Sequence, residues 1–219
     1  VMRWLPVFLA LSTSSPFWNR ADTGLLSYRQ AAYDEWPRTG VPDRFRDEAE
    51  YARFVELLVA GGAASDASFL WWAIRPALSY PTLELRICDA CTRVEDTLAI
   101  AALYRCLVRL LIRRPELAPD WTPFTRRLID ENRWRAKRFG IDAAFVSEDG
   151  SPPRACRAVV EDLLECVAED ARDLGCEREM ARVRALLGDG TSAHAQVKLY
   201  RAFRARGDTP LTYNGQPVD

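Results

Sequence analysis

Apolar residues crowd the start of the chain, Trp4-Leu-Pro-Val-Phe-Leu-Ala-Leu11, before a Ser/Thr/Pro run takes over at residues 12–16. A run without a polar face predicts the tail of a buried helix, here ending in a loop. From Pro16 to Pro42 periodicity fades while Trp, Tyr, Arg, Gly and Pro accumulate, a mixture typical of ordered segments that carry function. Residues 47–60 regain a helical repeat that sets Tyr51, Phe54, Val55, Leu58 and Val59 on one side, and Gly61-Gly62 stops it. The period then shortens to two. Residues 69–76 and 82–89 alternate, are rich in aromatic and branched side chains, and flank Ala77-Leu-Ser-Tyr-Pro81, so they predict two neighbouring antiparallel strands.

Beyond them the pattern is helical. Thr92 and Glu95 have the spacing of a capping box and predict a helix over residues 94–113, with an apolar face wide enough to be covered. Pro115, Pro119 and Pro123 break the chain, and a second helix runs to Phe139 and closes at Gly140. Residues 154–206 hold two or three more helices, with Val159, Leu163, Leu164 and Val167, then Met180, Val183, Leu186 and Leu187, at helical spacing. There is no internal repeat. The longest apolar stretch, residues 98–112, contains Arg105 and Arg109 and is too short to span a bilayer.

At 48% hydrophobic and 28% charged residues, the 219-residue chain can bury a core. Thirty Lys+Arg against thirty-one Asp+Glu remove the broad positive field of a protein that lives on nucleic acid or an anionic membrane, so any cationic site is local. Pro6 and the lack of a small-residue cleavage pattern argue against a secretory signal at the start, and the six cysteines read as thiols in a reducing cytoplasm.

Strand parity concentrates the chemistry. Thr82, Glu84, Arg86 and Cys88 share one face against Leu83, Leu85 and Ile87; in the preceding strand Trp71, Ala73 and Arg75 stand together. If the polar faces coincide, Glu84, Arg86 and Arg75 project from one surface. That surface is either an ordinary solvated face or a carboxylate for a hard cation beside guanidinium forks for phosphate or carboxylate. Elsewhere the plain readings prevail. Cys88-Asp-Ala-Cys91 has no second pair of ligands at zinc spacing, and His194, the only histidine, reads as a surface residue. Arg133, Arg135, Lys137 and Arg138 read as a solvated helix face or an anion site, the tryptophans as packing, and no P-loop occurs.

The wording of four segments adds to this. Ala10-Leu-Ser-Thr-Ser-Ser-Pro-Phe-Trp18 with Asp22-Thr-Gly24 and Ser27-Tyr-Arg29, then Leu70-Trp-Trp-Ala-Ile-Arg-Pro76, Pro81-Thr-Leu-Glu-Leu-Arg-Ile-Cys-Asp89 and Glu131-Asn-Arg-Trp-Arg-Ala-Lys-Arg-Phe-Gly140 follow in order. Together they resemble the bacterial carboxylate-amine ligases related to glutamate–cysteine ligase, over essentially the whole chain but only the C-terminal half of the family. The resemblance implies an α+β fold, the C-terminal half of a glutamine-synthetase-like saddle-shaped antiparallel sheet, with a largely helical C-terminal region. Residues 1–219 would form a single partial domain, with 1–91 the loop and strand region that carries the motifs and 92–219 helical. It further implies ATP and Mg2+, glutamate or a similar carboxylate, an amine such as cysteine, and an amide made through an acyl phosphate. On the matching motifs Glu84 is the metal-ligand candidate, Arg86 and Arg29 the catalytic candidates, and Arg75, Asn132 and Arg135 the candidates for substrate or ATP.

Two positions depart from the family's wording. Ala73 stands where an Asp is common, and Arg20 where the loop commonly has Gly, which takes positive φ cheaply where Arg does not. With Val1 opening inside a helix and no counterpart of the family's opening half, the expectation is a fragment or one chain of a split enzyme. Its partner would be the missing N-terminal half in the same or another chain, with homo-oligomerisation left open. A catalytically silent remnant or accessory subunit that binds protein is the alternative.

Overall fold

The computed structural model describes residues 1–118 and 120–206, together with the paired strand residues Thr212–Tyr213 and Gln216–Pro217. Pro119, one of the three expected proline breaks, lies outside them. The helices are α1 (Leu5–Ser12), α2 (Tyr28–Asp34), α3 (Glu48–Ala60), α4 (Val94–Arg113), α5 (Thr125–Phe139), α6 (Cys156–Cys166), α7 (Ala168–Asp173), α8 (Glu177–Asp189) and α9 (Ser192–Ala205). Strands β1 (Phe17–Trp18) and β2 (Ala21–Asp22), β3 (Ile74–Pro76) and β4 (Leu83–Leu85), and β5 (Ala144–Phe145) and β6 (Arg154–Ala155) form separate two-stranded antiparallel pairs. The fold is thus mixed helix and sheet, with helix predominating.

Helix α1 is buried on every side, as a run without a polar face demands. It forms the axis of the core, and α4, α5 and α6 pack around it, so that Leu5, Phe8, Leu9, Leu103, Val160 and Leu163 have no solvent exposure. A smaller aromatic cluster sits apart: Phe45, Phe54 and Trp72 pack ring on ring, with Phe54 and Trp72 stacked at 5.7 Å, and they hold α3. Val59, expected on the packed side of α3, is 43% exposed. Among the described residues no helix is long and apolar enough to cross a membrane.

Several expectations change on contact with tertiary structure. Helix α4 spans the expected residues, but Thr92 does not cap it; its hydroxyl bonds Ser192 at 2.9 Å, and Arg93 stands at the N-cap without a side-chain bond. The capping box forms instead at α9, where Thr191 and His194 exchange bonds. Residues 154–206 hold four helices, α6 to α9, not two or three, because Val167 and the Gly175 turn (φ +64°) isolate the six-residue α7. In α6 it is Val160, not Val159, that is fully buried.

The strands are three residues long, with Arg75 directly opposite Glu84 and one further ladder bond from the Arg86 N–H to the Ala73 carbonyl at 2.8 Å. Past Arg86 the ladder stops because side chains take its place. Gln30 donates to the Ile87 carbonyl at 2.7 Å, and the Asp89 N–H donates to the Ser12 hydroxyl at 3.2 Å. The β1–β2 turn consists of Asn19 (φ +46°) and Arg20 (φ +67°), a two-residue hairpin loop of the primed kind that favours glycine. Arg20 therefore stands where its backbone is strained.

Candidate functional site

Glu84 and Arg86 share a face as strand parity requires, and the register of the strand pair brings Arg75 to it, directly opposite Glu84. Arg75 Nε donates to Glu84 Oε2 at 2.9 Å and Arg86 Nη1 to the same oxygen at 3.3 Å. Burial by itself would raise the Glu84 carboxyl, but these two hydrogen bonds and their charges overcome it and hold it below the ordinary range. The side chain is therefore a carboxylate at neutral pH, and its Oε1 makes no hydrogen bond within the cluster. Arg86 also donates through Nη2 to the Tyr33 hydroxyl at 3.0 Å. Burial opposes its charge, while Tyr33 and Glu84 raise its pKa on balance.

Arg29 joins this group from α2. Its guanidinium lies over the Tyr33 ring at 5.3 Å, donates to the Arg86 carbonyl at 3.4 Å, and comes within 3.8 Å of Asp89. Asp89 is the local hub. Buried in the core, it accepts from the Ser14 N–H at 3.0 Å and the Ser15 and Ser27 hydroxyls at 2.8 Å each, so it ties the Ser-rich loop, the start of α2 and the end of the β4 strand segment together. Two donors in this group are buried and have no hydrogen-bond partner among the described residues: Arg86 Nε and Arg29 Nη1. Arg29 Nη1 has only its 3.8 Å ion pair with Asp89, so both guanidinium N–H groups keep hydrogen-bonding capacity.

Of the remaining candidates, Arg75 divides its donors between Glu84 and the backbone, while Asn132 and Arg135 are engaged elsewhere. Arg75 is nearly buried, and its Nη1 donates to the backbone carbonyls of Ser68 and Leu70, the latter at 2.9 Å, clamping the turn before β3. Asn132 exchanges two hydrogen bonds with the backbone of Val146, at 2.9 and 2.8 Å. Arg135 bonds Glu131 at 2.7 Å and the Ala144 carbonyl at 3.1 Å. Asn132 and Arg135 fasten α5 to the β5 segment and share no hydrogen bond or ion pair with the Glu84 group among the described residues. Most of the basic face of α5 is paired with carboxylates: Asp34 takes Arg133 at 2.6 Å and Lys137 at 2.8 Å, Asp130 also meets Arg133 at 3.2 Å, and Glu131 holds Arg135.

Tyr33, Asp34 and Asp89 were missed as parts of this arrangement. The i to i+4 spacing of Arg29 and Tyr33 on a helix is the signal that would have found Tyr33, but the segment's short length hid that helix. A cleft of about 700 Å³, lined by Tyr51, Trp72, Ile74, Arg75 and Leu83, lies beside the ionic group and does not include Glu84 or Arg86. Among the described residues no three His, Cys, Asp or Glu side chains converge as a metal cage would require.

With this geometry in place, the comparisons with known proteins identify the family. The model of glutamate–cysteine ligase family 2 (GCS2) matches residues 1–211, and the chain belongs to that family. A relative from Rhodospirillum rubrum is 47% identical over 209 residues, covering 95% of this chain and 54% of the relative. One from Bradyrhizobium sp. (strain ORS 278) is 48% identical over 198 residues, 90% of this chain and 48% of the relative. A third, from Ectopseudomonas mendocina, is 47% identical over 206 residues, 93% and 54% respectively. All three carry the name glutamate–cysteine ligase 2 as a provisional assignment. The chain spans about half the length of the curated relatives it matches.

Proposed function

We propose that this chain supplies part of the active site of an ATP-dependent carboxylate-amine ligase in the cytoplasm, joining glutamate or a similar carboxylate to an amine such as cysteine. The observation that carries the reading is a pair of guanidiniums with hydrogen-bonding capacity to spare on the motifs that resemble the family's: Arg86, whose buried Nε has no hydrogen bond and which pairs with an ionised Glu84, and Arg29, which bonds the Arg86 carbonyl and whose buried Nη1 has only an ion pair with Asp89. In the reaction a carboxylate oxygen displaces ADP from the γ-phosphorus of ATP. The amine nitrogen then attacks the acyl carbon, phosphate leaves with the C–O electron pair, and the nitrogen loses a proton. Negative charge moves across the transferred group at each step, and two guanidiniums fixed by Tyr33, Glu84 and Asp89 offset it without reorganising. Arg75, Asn132 and Arg135 act as positioning residues, holding the strand pair and the β5 segment.

Magnesium fits this group in one respect: Glu84 offers a free carboxylate oxygen, and magnesium commonly takes one or two carboxylates with the rest from water and phosphate. Bound there, it would neutralise phosphate charge. The other ligands and the rest of a glutamine-synthetase-like saddle would come from sequence that the relatives have and this chain does not cover, in the same or another chain. A second reading, an accessory or silent subunit, draws on the absence of three converging metal-binding side chains among the described residues and on Ala73 facing Arg86 across the ladder. Substrate-dependent ADP release, screened over amino acids with the intact protein, separates the two: release with glutamate and one amine supports the ligase, and no release with any pair refutes it.

A further inference from the structure

A second cleft lies between the Asp22–Leu26 loop, the end of α5 and the outer face of α9, with a volume of about 450 Å³. Its rim carries Arg138, Lys198 and Arg201, and its lining includes Leu25, Phe139 and Val197. Lys198 and Arg201 make no hydrogen bond or ion pair among the described residues, and Arg138 spends only Nη1, on the Gly24 carbonyl at 3.0 Å. Of the two carboxylates in the cleft, Asp142 is paired with a cation while Asp22 keeps its charge, so three cations face one unpaired carboxylate. Asp142 takes Arg157 at 2.7 Å, and Asp22 accepts from the Gly24 N–H at 2.9 Å. Lys198 and Arg201 thus stand without an ion-pair partner among the described residues, and Arg138, held by the Gly24 carbonyl and lying over the Phe139 ring at 5.4 Å, has no carboxylate of its own there, so positive charge is left over beside an apolar floor.

The inner wall is built to close tolerances. The His194 side chain sits in a slot between Gly140 and Gly190, where a Cβ on Gly140 would come 3.0 Å from ring Cε1 and one on Gly190 would come 3.0 Å from the His194 Cβ and 3.3 Å from ring Cγ. Both glycines have positive φ, so the slot depends on them twice over. His194 Nδ1 accepts from the Thr191 N–H at 3.2 Å, which puts the neutral ring's proton on Nε2. That N–H lies 3.3 Å from Asp142 but off the line of a hydrogen bond, and is otherwise unspent. The Thr191 hydroxyl, 2.7 Å from Nδ1, is buried and bonded to Thr13, which removes it as a nucleophile.

We propose that this cleft is a binding site for a small organic phosphate, its phosphate group held by Arg138, Lys198 and Arg201 and its organic body resting on Leu25, Phe139 and Val197. Guanidinium and ammonium donors at a shared concave rim match phosphate oxygens, and the apolar floor favours a monoester over the free ion. The site shares no residue with the Glu84–Arg86 group and stands independently of the ligase reading.

His194 provides the reporter. In the intact protein, its imidazole Cε1–H signal, assigned by its loss in His194→Asn, is followed by NMR during titration with phenyl phosphate, inorganic phosphate and, at matched ionic strength, chloride. The expected result is a saturable shift with phenyl phosphate at least tenfold tighter than with inorganic phosphate, none with chloride, and at least tenfold weaker binding in Lys198→Gln/Arg201→Gln. Both of those residues are exposed, so the fold should survive, and thermal melts check it. Equal affinity for the free ion, an equal shift with chloride, or unchanged binding in a folded double variant would overturn the proposal.

Discussion

Two arginine–carboxylate clusters in this chain use the same chemistry and end in opposite states. Between α4 and α7, Asp170 is fully buried and both its oxygens are taken: Oδ1 by Arg109 at 2.7 Å and Arg113 at 3.1 Å, Oδ2 by Arg113 at 3.0 Å. The arginines' remaining reach goes to Asp173 and Glu169. On the strand pair, Glu84 takes Arg75 and Arg86 on one oxygen, Arg86 Nε makes no hydrogen bond, and the neighbouring Arg29 Nη1 has only a 3.8 Å ion pair with Asp89. A saturated cluster holds two elements together and has nothing left to offer a ligand. An unsaturated one of similar composition has already met the cost of bringing charge together and keeps donors for something else.

Breaking each cluster should therefore show in different measurements. Arg29→Ala in the intact protein should lower turnover by about 10²-fold, the scale of losing one charge-stabilising donor, with little change in melting temperature. Arg20→Ala, outside the cluster, should leave turnover within a few-fold of the parent. Steady-state rates decide this, and equal effects would remove Arg29 from the site.

Asp170→Ala should do the converse. It leaves two guanidiniums without their shared acceptor, and because each keeps about a third of its exposure the loss is set at about 2–3 kcal/mol, below the ~3–5 of a fully buried pair. Denaturant unfolding checks the stability, and rates per folded molecule should be unchanged.

The His194 environment gives a pH signature at neither cluster. Burial holds its imidazole below the ordinary range despite the opposing pull of Asp142. Below about pH 6.5 the unfolded chain therefore binds more protons than the folded one, so stability is full above that value and falls as pH drops through it. Asp142, held low by Arg157 and His194 in spite of its burial, stays charged through this window. Thermal melts at pH 7.5, 6.5 and 5.5 should show the decline, and His194→Gln should flatten it.

The smallest effect belongs to the β1–β2 turn. Arg20→Gly relieves a left-handed backbone worth ~1–2 kcal/mol and gives back part of it as unfolded-state entropy, for a net gain of about 0.5–1 kcal/mol in chemical unfolding.

The division between what was legible and what was not follows the range of the interactions. The bounds of α4 and the close of α5 at Gly140 (φ +55°) rest on local periodicity and a local backbone requirement, and both could be read. So could the common face of Glu84 and Arg86, which strand parity sets; that Arg75 joins it, directly opposite Glu84, depends on the register of the strand pair, which parity leaves open. Helix α2 could not: seven residues of Tyr, Arg, Gln, Ala and Asp show no apolar repeat, and its docking depends on Asp34 meeting Arg133 and Lys137 about a hundred positions away. Asn132 looked like a ligand donor in its motif. Its role as a clamp on Val146 appears only when α5 and the β5 segment are brought together. Thr92 was lost to Ser192 for the same reason.

The central claim is that the unsaturated strand-pair cluster is where the reaction's charge is handled, and Glu84→Gln tests it most directly. The change keeps shape and hydrogen-bonding capacity, removes the charge a hard cation requires, and costs at most about 1 kcal/mol of stability if the ion pairs are its only role. Turnover of the intact protein is measured against magnesium concentration, with thermal melts as the control for fold. The account predicts a fall of about 10²–10³ in rate at low magnesium, partly recovered as magnesium is raised, at a nearly unchanged melting temperature. Near-normal turnover at low magnesium would contradict it.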